Sequence, residues 1–246
     1  MHTPLILALS ALLGLDPGET LLRRMNDAHR ADWFTTLIFE QRTTWPGTDR
    51  PEETWYETMV RPGRLRLDME RGGVMIGRSI FRNDSIYQTM EGRPPVTRPL
   101  VHPLLVLLHD VHVGPIDDIV RKVRALGFDL ARTHEATWQG RAVRVVGAEA
   151  GDTTSRQFWV DAERLVVVRL IQPGPNGNTN DTQVGGFTAE GPALVERRID
   201  FLSNGRPSLV EEYVWVKSGV AIGDDVFDPA GTALPAWVVE RRAARR

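Results

Sequence analysis

The stretch Gln157 to Ile171, QFWVDAERLVVVRLI, decides the fold. Two short apolar runs meet at a polar tetrad, and Ala162 and Glu163 read as the two loop residues of a β-hairpin. That register sets Asp161 opposite Arg164, Val160 opposite Leu165 and Phe158 opposite Val167. The other face carries Trp159, Val166, Val168 and Leu170, so the hairpin is apolar on both sides. In an antiparallel sheet this means that something covers each face, and the hairpin belongs to the middle of the fold.

Outward from it, further hairpins predict their own registers. Gln139-Gly140 closes one in which Glu135 faces Arg144. Asn204-Gly205 closes another in which Arg198 faces Glu211 and Arg197 faces Glu212. Asp32 to Trp45 reads as a long strand that stops at Pro46 and Gly47. In ETWYETMVRPGRLRLDME, Pro62 and Gly63 read as the loop, which places Tyr56, Thr58 and Val60 opposite Met69, Leu67 and Leu65 on an apolar face. Arg61, Met59, Glu57, Arg64, Arg66 and Asp68 then form the wet face. Val74, Ile76, Arg78 and Ile80 continue the apolar side, with Arg78 interrupting it. Arg78 reads either as a rim cation whose stem packs while its head reaches water, or as a guanidinium donating to carbonyls of a covering segment or to a ligand headgroup.

The proline-rich run Gly92 to Pro103 breaks the sheet, and two helices follow. Leu104 to Val111 is strongly apolar. Pro115 to Leu126 opens on Asp117 and Asp118, ends on basic residues before Gly127, and buries Ile116, Ile119, Val120 and Val123. His102, His109, Asp110 and His112 lie in this insertion without HExxH spacing, and read as polar residues at a helix end near the surface rather than as a metal site or a catalytic group. Pro173 to Gly191, rich in Gly, Pro, Asn and Thr, reads as a long mobile loop.

Composition narrows the classes. The chain has 246 residues, 41% of them hydrophobic and 25% charged, enough to bury a sizeable core. A formal charge of −2 gives no basic field for nucleic acid. The absence of cysteine removes disulfides, thiolate catalysis and cysteine-ligated zinc. Leu5 to Leu15, LILALSALLGL, has the length of a signal-peptide core, although no Lys or Arg precedes it. Asp16, Pro17 and Glu19 then stand as N-cap, first-turn proline and capping-box glutamate of a helix whose Leu21, Met25 and Ala28 share a face. Residues 1–15 are therefore expected to be a signal peptide, 16–233 a single domain, and 234–246 a solvated basic tail. About eleven strands in a meander account for the sheet.

Three stretches carry a resemblance: WYETMVRPGRLRLDM at Trp55 to Met69, FWVDAERL at Phe158 to Leu165, and VFDP at Val226 to Pro229. With the order of helix, meander, helical insertion and hairpin, they make the chain resemble the LolA/LolB-like superfamily of outer-membrane lipoprotein-sorting proteins. The resemblance implies an incompletely closed antiparallel β-barrel whose apolar concave face is covered by helices, in a periplasmic protein that holds acyl chains of lipoproteins or related lipids. A membrane-associated donor or acceptor protein is an implied partner, and no cofactor is. The expected function is non-catalytic acyl-chain carriage. The expected lining is Tyr56, Val60, Leu65, Leu67, Met69, Val74, Ile76 and Ile80, with Arg78 as lid or headgroup contact. The alternatives are a sensor or protein-interaction domain of the same shape, and an enzyme using His102, His109 or His112.

Overall fold

The computed structural model describes residues 14–245. Most of the signal-peptide expectation for residues 1–15 thus lies outside the described residues. Helix α1 spans Pro17–His29. Strands β1 (Thr36–Thr44), β2 (Glu53–Val60), β3 (Arg64–Arg71), β4 (Val74–Arg82), β5 (Ser85–Met90) and β6 (Val96–Pro99) form a first meander. A π-helical turn at Leu105–His109, a 3₁₀ turn at Asp110–His112 and helix α2 at Ile116–Ala125 follow. The second meander is β7 (Thr133–Trp138), β8 (Arg141–Val146), β9 (Gln157–Asp161), β10 (Val167–Pro173) and β11 (Thr179–Gly185). Next come β12 (Thr188–Glu190), β13 (Ala193–Val195), β14 (Arg198–Ser203), β15 (Arg206–Ser218), a 3₁₀ turn at Asp224–Phe227 and helix α3 at Ala236–Ala243.

Thirteen strands make one antiparallel sheet in the order β6-β5-β4-β3-β2-β1-β15-β14-β11-β10-β9-β8-β7, and β12 and β13 pair separately. The long β15 bonds to β1 and so joins the two meanders. Strands β6 and β7 are the free edges, so the sheet is an incomplete barrel, with α1, the two helical turns and α2 on one face. The main core lies there. Leu21, Leu22 and Met25 of α1, Leu105 to Leu108 of the π-helical turn, and Ile119, Val120 and Val123 of α2 pack on Phe39, Met59, Leu65, Phe158, Val160 and Leu170 of the sheet.

The central hairpin is covered on both sides, as its two apolar faces require. Phe158, Val160 and Val167 join the main core, while Val166 and Val168 pack with Trp33, Val143, Val145 and Ala193. Its register differs from the two-residue loop. Val160 pairs with Val167, and Trp159 pairs with Arg169. Asp161 uses its carboxylate to accept the N–H groups of Glu163 and Arg164 at 3.0 and 2.9 Å, which favours a longer turn with Leu165 in the left-handed region at φ 56°. Arg141, not Arg164, is its ionic partner at 2.5 Å.

Other registers shift in the same way. Glu135 does face Arg144, with Arg144 Nη2 to Glu135 Oε1 at 2.7 Å. At Asn204-Gly205 a bulge between Phe201 and Leu202 moves the pairing by one, so Arg198 faces Glu212. The expected loop 173–191 contains β11, which supplies an interior strand of the sheet. In α1, Leu22 replaces the exposed Ala28 on the buried face, and Asp16 makes no side-chain cap. Asp16 and Glu19 instead accept from Arg124 of α2 at 2.8 and 2.7 Å.

The segment after Asp228 is not a free tail. Trp237 and Val238 of α3 are buried against Ile38 and Tyr56, on the face opposite the main core. Trp237 Nε1 donates to Thr58 Oγ1 at 2.9 Å, and Arg241 Nε donates to Glu40 Oε2 at 3.0 Å. The basic residues therefore meet carboxylates of β1 and β3 rather than solvent alone, Arg242 Nε lying 2.5 Å from Glu70 Oε2.

Candidate functional site

A cavity of about 310 Å³ lies between the sheet and the helical insertion. Period-two alternation decides which side chains reach it. Strand β2 contributes Trp55, Glu57 and Met59, β3 contributes Leu65, Leu67 and Met69, and β4 and β5 contribute Ser79, Phe81, Ile86 and Gln88. From the other meander come Ile199, Phe201, Leu209, Glu211 and Tyr213, with Phe39 of β1 between. His102, Leu104, Leu105, Leu108 and His109 form the helical side. The lining is mostly aliphatic and aromatic, as in ligand pockets generally.

The expected site residues divide between two faces. Leu65, Leu67 and Met69 line the cavity. Tyr56, Val60 and Ile80 do not: they pack beneath Trp237 and Phe227 on the outer face. The cause is a one-residue register difference. The β2–β3 loop has three residues, Arg61, Pro62 and Gly63, with Gly63 at φ 75°, so Val60 pairs with Arg64 and Met59 with Leu65. Met59 and Glu57, expected on the wet face, point inward instead. Ile76 borders a groove on the outer face with Arg78, and Val74 is exposed.

Arg78 realises the second of its two readings. It donates to the carbonyl of Gly231, and its Nη2 donates to that of Pro229 at 3.0 Å. Arg82 donates to Phe227 O at 3.2 Å, and Arg66 to Val226 O and Ala233 O at 2.9 and 2.8 Å. Arg66, expected on the wet face, joins Arg78 and Arg82 in a row of guanidinium groups that straps residues 226–233 onto β3 and β4. Arg78 is thus a contact of the C-terminal segment, away from the cavity.

The helical cover is held by polar contacts at its ends. Asn26 Nδ2 donates to Val111 O at 2.9 Å and Gly114 O at 3.1 Å, both inside the core. Lys122 Nζ meets Asp84 Oδ1 at 2.5 Å, which ties α2 to the β4–β5 turn. Gly18 lets α1 approach the sheet, since a Cβ there would lie 2.7 Å from Val146 Cγ1.

Polar groups gather at one part of the cavity wall. Glu57 and Glu211 line it directly, and the buried Glu196 acts on both by its charge. Tyr213 donates to Glu196 Oε1 at 3.5 Å, and His109 Nε2 lies 3.3 Å from the same oxygen. Burial pushes the Glu57 carboxyl well above its ordinary range, with Glu211 and Glu196 adding repulsion. Burial also lifts Glu211 and Glu196 to about 7 each. His109 is held neutral well below its usual value by the same loss of solvent and then by Arg61, so its contact with Glu196 is not an ion pair. These acids were not recognisable as a group in the sequence, although Trp55-Glu57-Met59 alternates as an inward face would.

The histidines do not lie near the surface as expected; His109 and His112 are buried. Each has its own partner. His102 packs edge-on to Phe81 at 4.9 Å and accepts the Leu105 N–H at 3.3 Å, His109 meets Glu196, and His112 stacks on Trp33 at 4.1 Å. Among the described residues no group of three His, Cys, Asp or Glu has the arrangement of a metal site. No helix among them is long and apolar enough to cross a membrane.

The architecture and its covered cavity define a LolA-like fold. No protein-family model matches the chain, and no curated protein does. Solved structures do. A DUF1329 family protein from Desulfovibrio piger matches with TM-score 0.58 and 11% identity, over 87% of this chain and 98% of that one. A LolA superfamily protein from Nitrosomonas europaea matches with TM-score 0.54 and 9% identity, over 87% and 98%. An outer membrane lipoprotein-sorting protein domain from Vibrio parahaemolyticus gives TM-score 0.45 and 9% identity, over 86% and 96%. These likenesses are of fold.

Proposed function

We propose that this protein is a periplasmic binder and carrier of acyl chains, of lipids or of lipoproteins, and performs no chemistry on them. The observation that carries the reading is the cavity of about 310 Å³, walled on the sheet side by Met59, Leu65, Leu67, Phe81 and Phe201 and on the helical side by Leu104, Leu105 and Leu108. Its volume falls at the lower end of ligand pockets, about 300 to 1,000 Å³. Each Å² of chain surface removed from water there is worth about 25 cal/mol, which suits a ligand recognised by area rather than by directed bonds. The likeness to a LolA superfamily protein supports the same reading. A membrane-associated donor or acceptor of the chain is the partner this role requires.

The test is a photo-crosslinking residue at Leu67, inside the cavity, compared with one at Val74, which is exposed. Lipid or an acylated peptide on the Leu67 probe, identified by mass spectrometry, and none on the Val74 probe is the expected result. A Leu67 probe that yields only intramolecular products, beside an outer-face probe that captures a protein, would replace carriage by the interaction-domain alternative.

A further inference from the structure

The acyl-chain reading leaves two side chains in the cavity wall without a role. Glu57 is 6% exposed, lines the cavity and has no hydrogen-bond or ion-pair partner among the described residues. Glu211, 9% exposed, lines it too; it has the Gln41 side chain as a hydrogen-bond neighbour but is in no ion pair among the described residues. Neither is an accident of loose packing. Glu57 sits beside Phe39 in the β1–β2 ladder and opposite Leu67 in the β2–β3 ladder. Glu211 sits beside Thr43 and Ile199. Phe39 and Tyr213 stack at 4.2 Å along the same wall, so the two carboxyls are fixed on strands rather than carried on loops.

An unpartnered carboxyl inside an apolar cavity costs free energy that an apolar residue would avoid. The buried cation Arg61 is not among the groups whose charge acts on Glu57 or Glu211. Its ring-stacked guanidinium lies 3.9 Å over Phe34, and the anions that act on it are Glu196 and Asp110. The remaining polar groups of the wall, Ser79, Gln88 and the neutral His102 and His109, supply no charge. The wall therefore carries acid without a counterion at the place where a ligand would lie.

We infer that the cavity selects amphiphiles bearing a protonated amine, the ammonium bound by the Glu57 and Glu211 carboxyls and the aliphatic chain lying along Met59, Leu65 and Leu67. This rests on the acyl-chain reading and adds the class of polar group to it. An ammonium has three donors and a positive charge, so it satisfies both carboxyls and cancels the repulsion between them. A fatty-acid carboxylate at the same place would add a like charge. An alcohol would supply one donor and no charge. As the ammonium enters, Glu57, which burial holds protonated, gives up its proton to solvent, because a neighbouring cation favours the ionised form.

The test uses the purified chain and three ligands with one chain length, dodecylamine, 1-dodecanol and dodecanoate, below their micelle concentrations at pH 8. Each displaces a neutral naphthylamine fluorophore. Dodecylamine is expected to bind at least about tenfold more tightly than 1-dodecanol, equal to about 1.4 kcal/mol, with dodecanoate weakest. Calorimetry in two buffers of different ionisation enthalpy should show proton release on dodecylamine binding. In the pair Glu57→Gln and Glu211→Gln the amine advantage should shrink to within about twofold, with 1-dodecanol unaffected. If that pair does not fold, Glu57→Gln alone should lose most of it.

Dodecylamine binding no tighter than 1-dodecanol, or an advantage that survives the substitutions, would overturn the amine preference while leaving the acyl-chain reading intact. Failure of all three ligands to displace the fluorophore would remove both.

Discussion

Arg66 and Asp68, two residues apart on the outer face of β3, form a bidentate ion pair with Nε to Oδ2 at 2.8 Å and Nη2 to Oδ1 at 2.9 Å. Both are buried, and Arg66 also bonds the carbonyls of Val226 and Ala233. A pair so desolvated adds little net stability, yet removing one member strands the other. Arg66→Leu should therefore destabilise the fold by about 3 to 5 kcal/mol, more than Asp68→Asn, in urea unfolding. Equal small losses for both would mean that water enters beneath the C-terminal segment.

Arg78 belongs to the same strap and not to the cavity. Arg78→Leu is expected to leave displacement of an apolar probe unchanged within about twofold. Limited proteolysis should instead become faster between Pro229 and Gly231, whose carbonyls Arg78 holds. A changed probe affinity with unchanged cleavage would contradict the assignment.

Trp237 anchors α3, being 8% exposed and bonded to Thr58. Truncating it to alanine should cost about 3 to 5 kcal/mol and uncover Tyr56 and Ile38. The measurement is a denaturation midpoint with an apolar dye as reporter of the exposed face. Removal of residues 234–246 should act in the same direction, and an unaffected midpoint would return them to the status of a tail.

The acids of the cavity wall make stability depend on pH. Glu196 and Glu211 titrate at about 7 when folded, above the ordinary value near 4.5. Unfolding therefore releases protons between these values, and stability falls as pH rises from about 4.5 to 7 and levels off above. The fall attached to one such carboxyl is on the order of 3 kcal/mol. Melting temperatures of the wild-type chain should drop across that window, and Glu211→Gln should flatten the slope. A stability that rises through the window would show both carboxyls ionised and compensated in the folded protein.

Much of the fold was legible because hairpins are local. Gln139-Gly140 with the Glu135 to Arg144 pair needed only turn chemistry and alternation, and the dipole-matched ends of 115–126 needed only helix physics. What failed were offsets of one residue. Arg61 joined the β2–β3 loop, and so the inward set became Trp55, Glu57 and Met59 in place of Tyr56, Thr58 and Val60. Neither set is cleanly apolar, so alternation alone could not choose between them. β11 was missed because its Asn, Thr and Gly composition has weak strand propensity, and its place between β10 and β14 comes from pairing with neighbours.

The sequence by itself determined the class of fold, the helical insertion and the apolar wall at Leu65, Leu67 and Met69, since these follow from periodicity and turn residues within short windows. Only the tertiary structure decided that the Arg66, Arg78 and Arg82 face is covered, because the carbonyls they hold lie about 145 to 167 residues further along the chain. It also decided that Glu57, Glu196 and Glu211 meet at one wall. They stand on three separate segments, and a charge's burial depends on what the rest of the chain places around it, which no local pattern records.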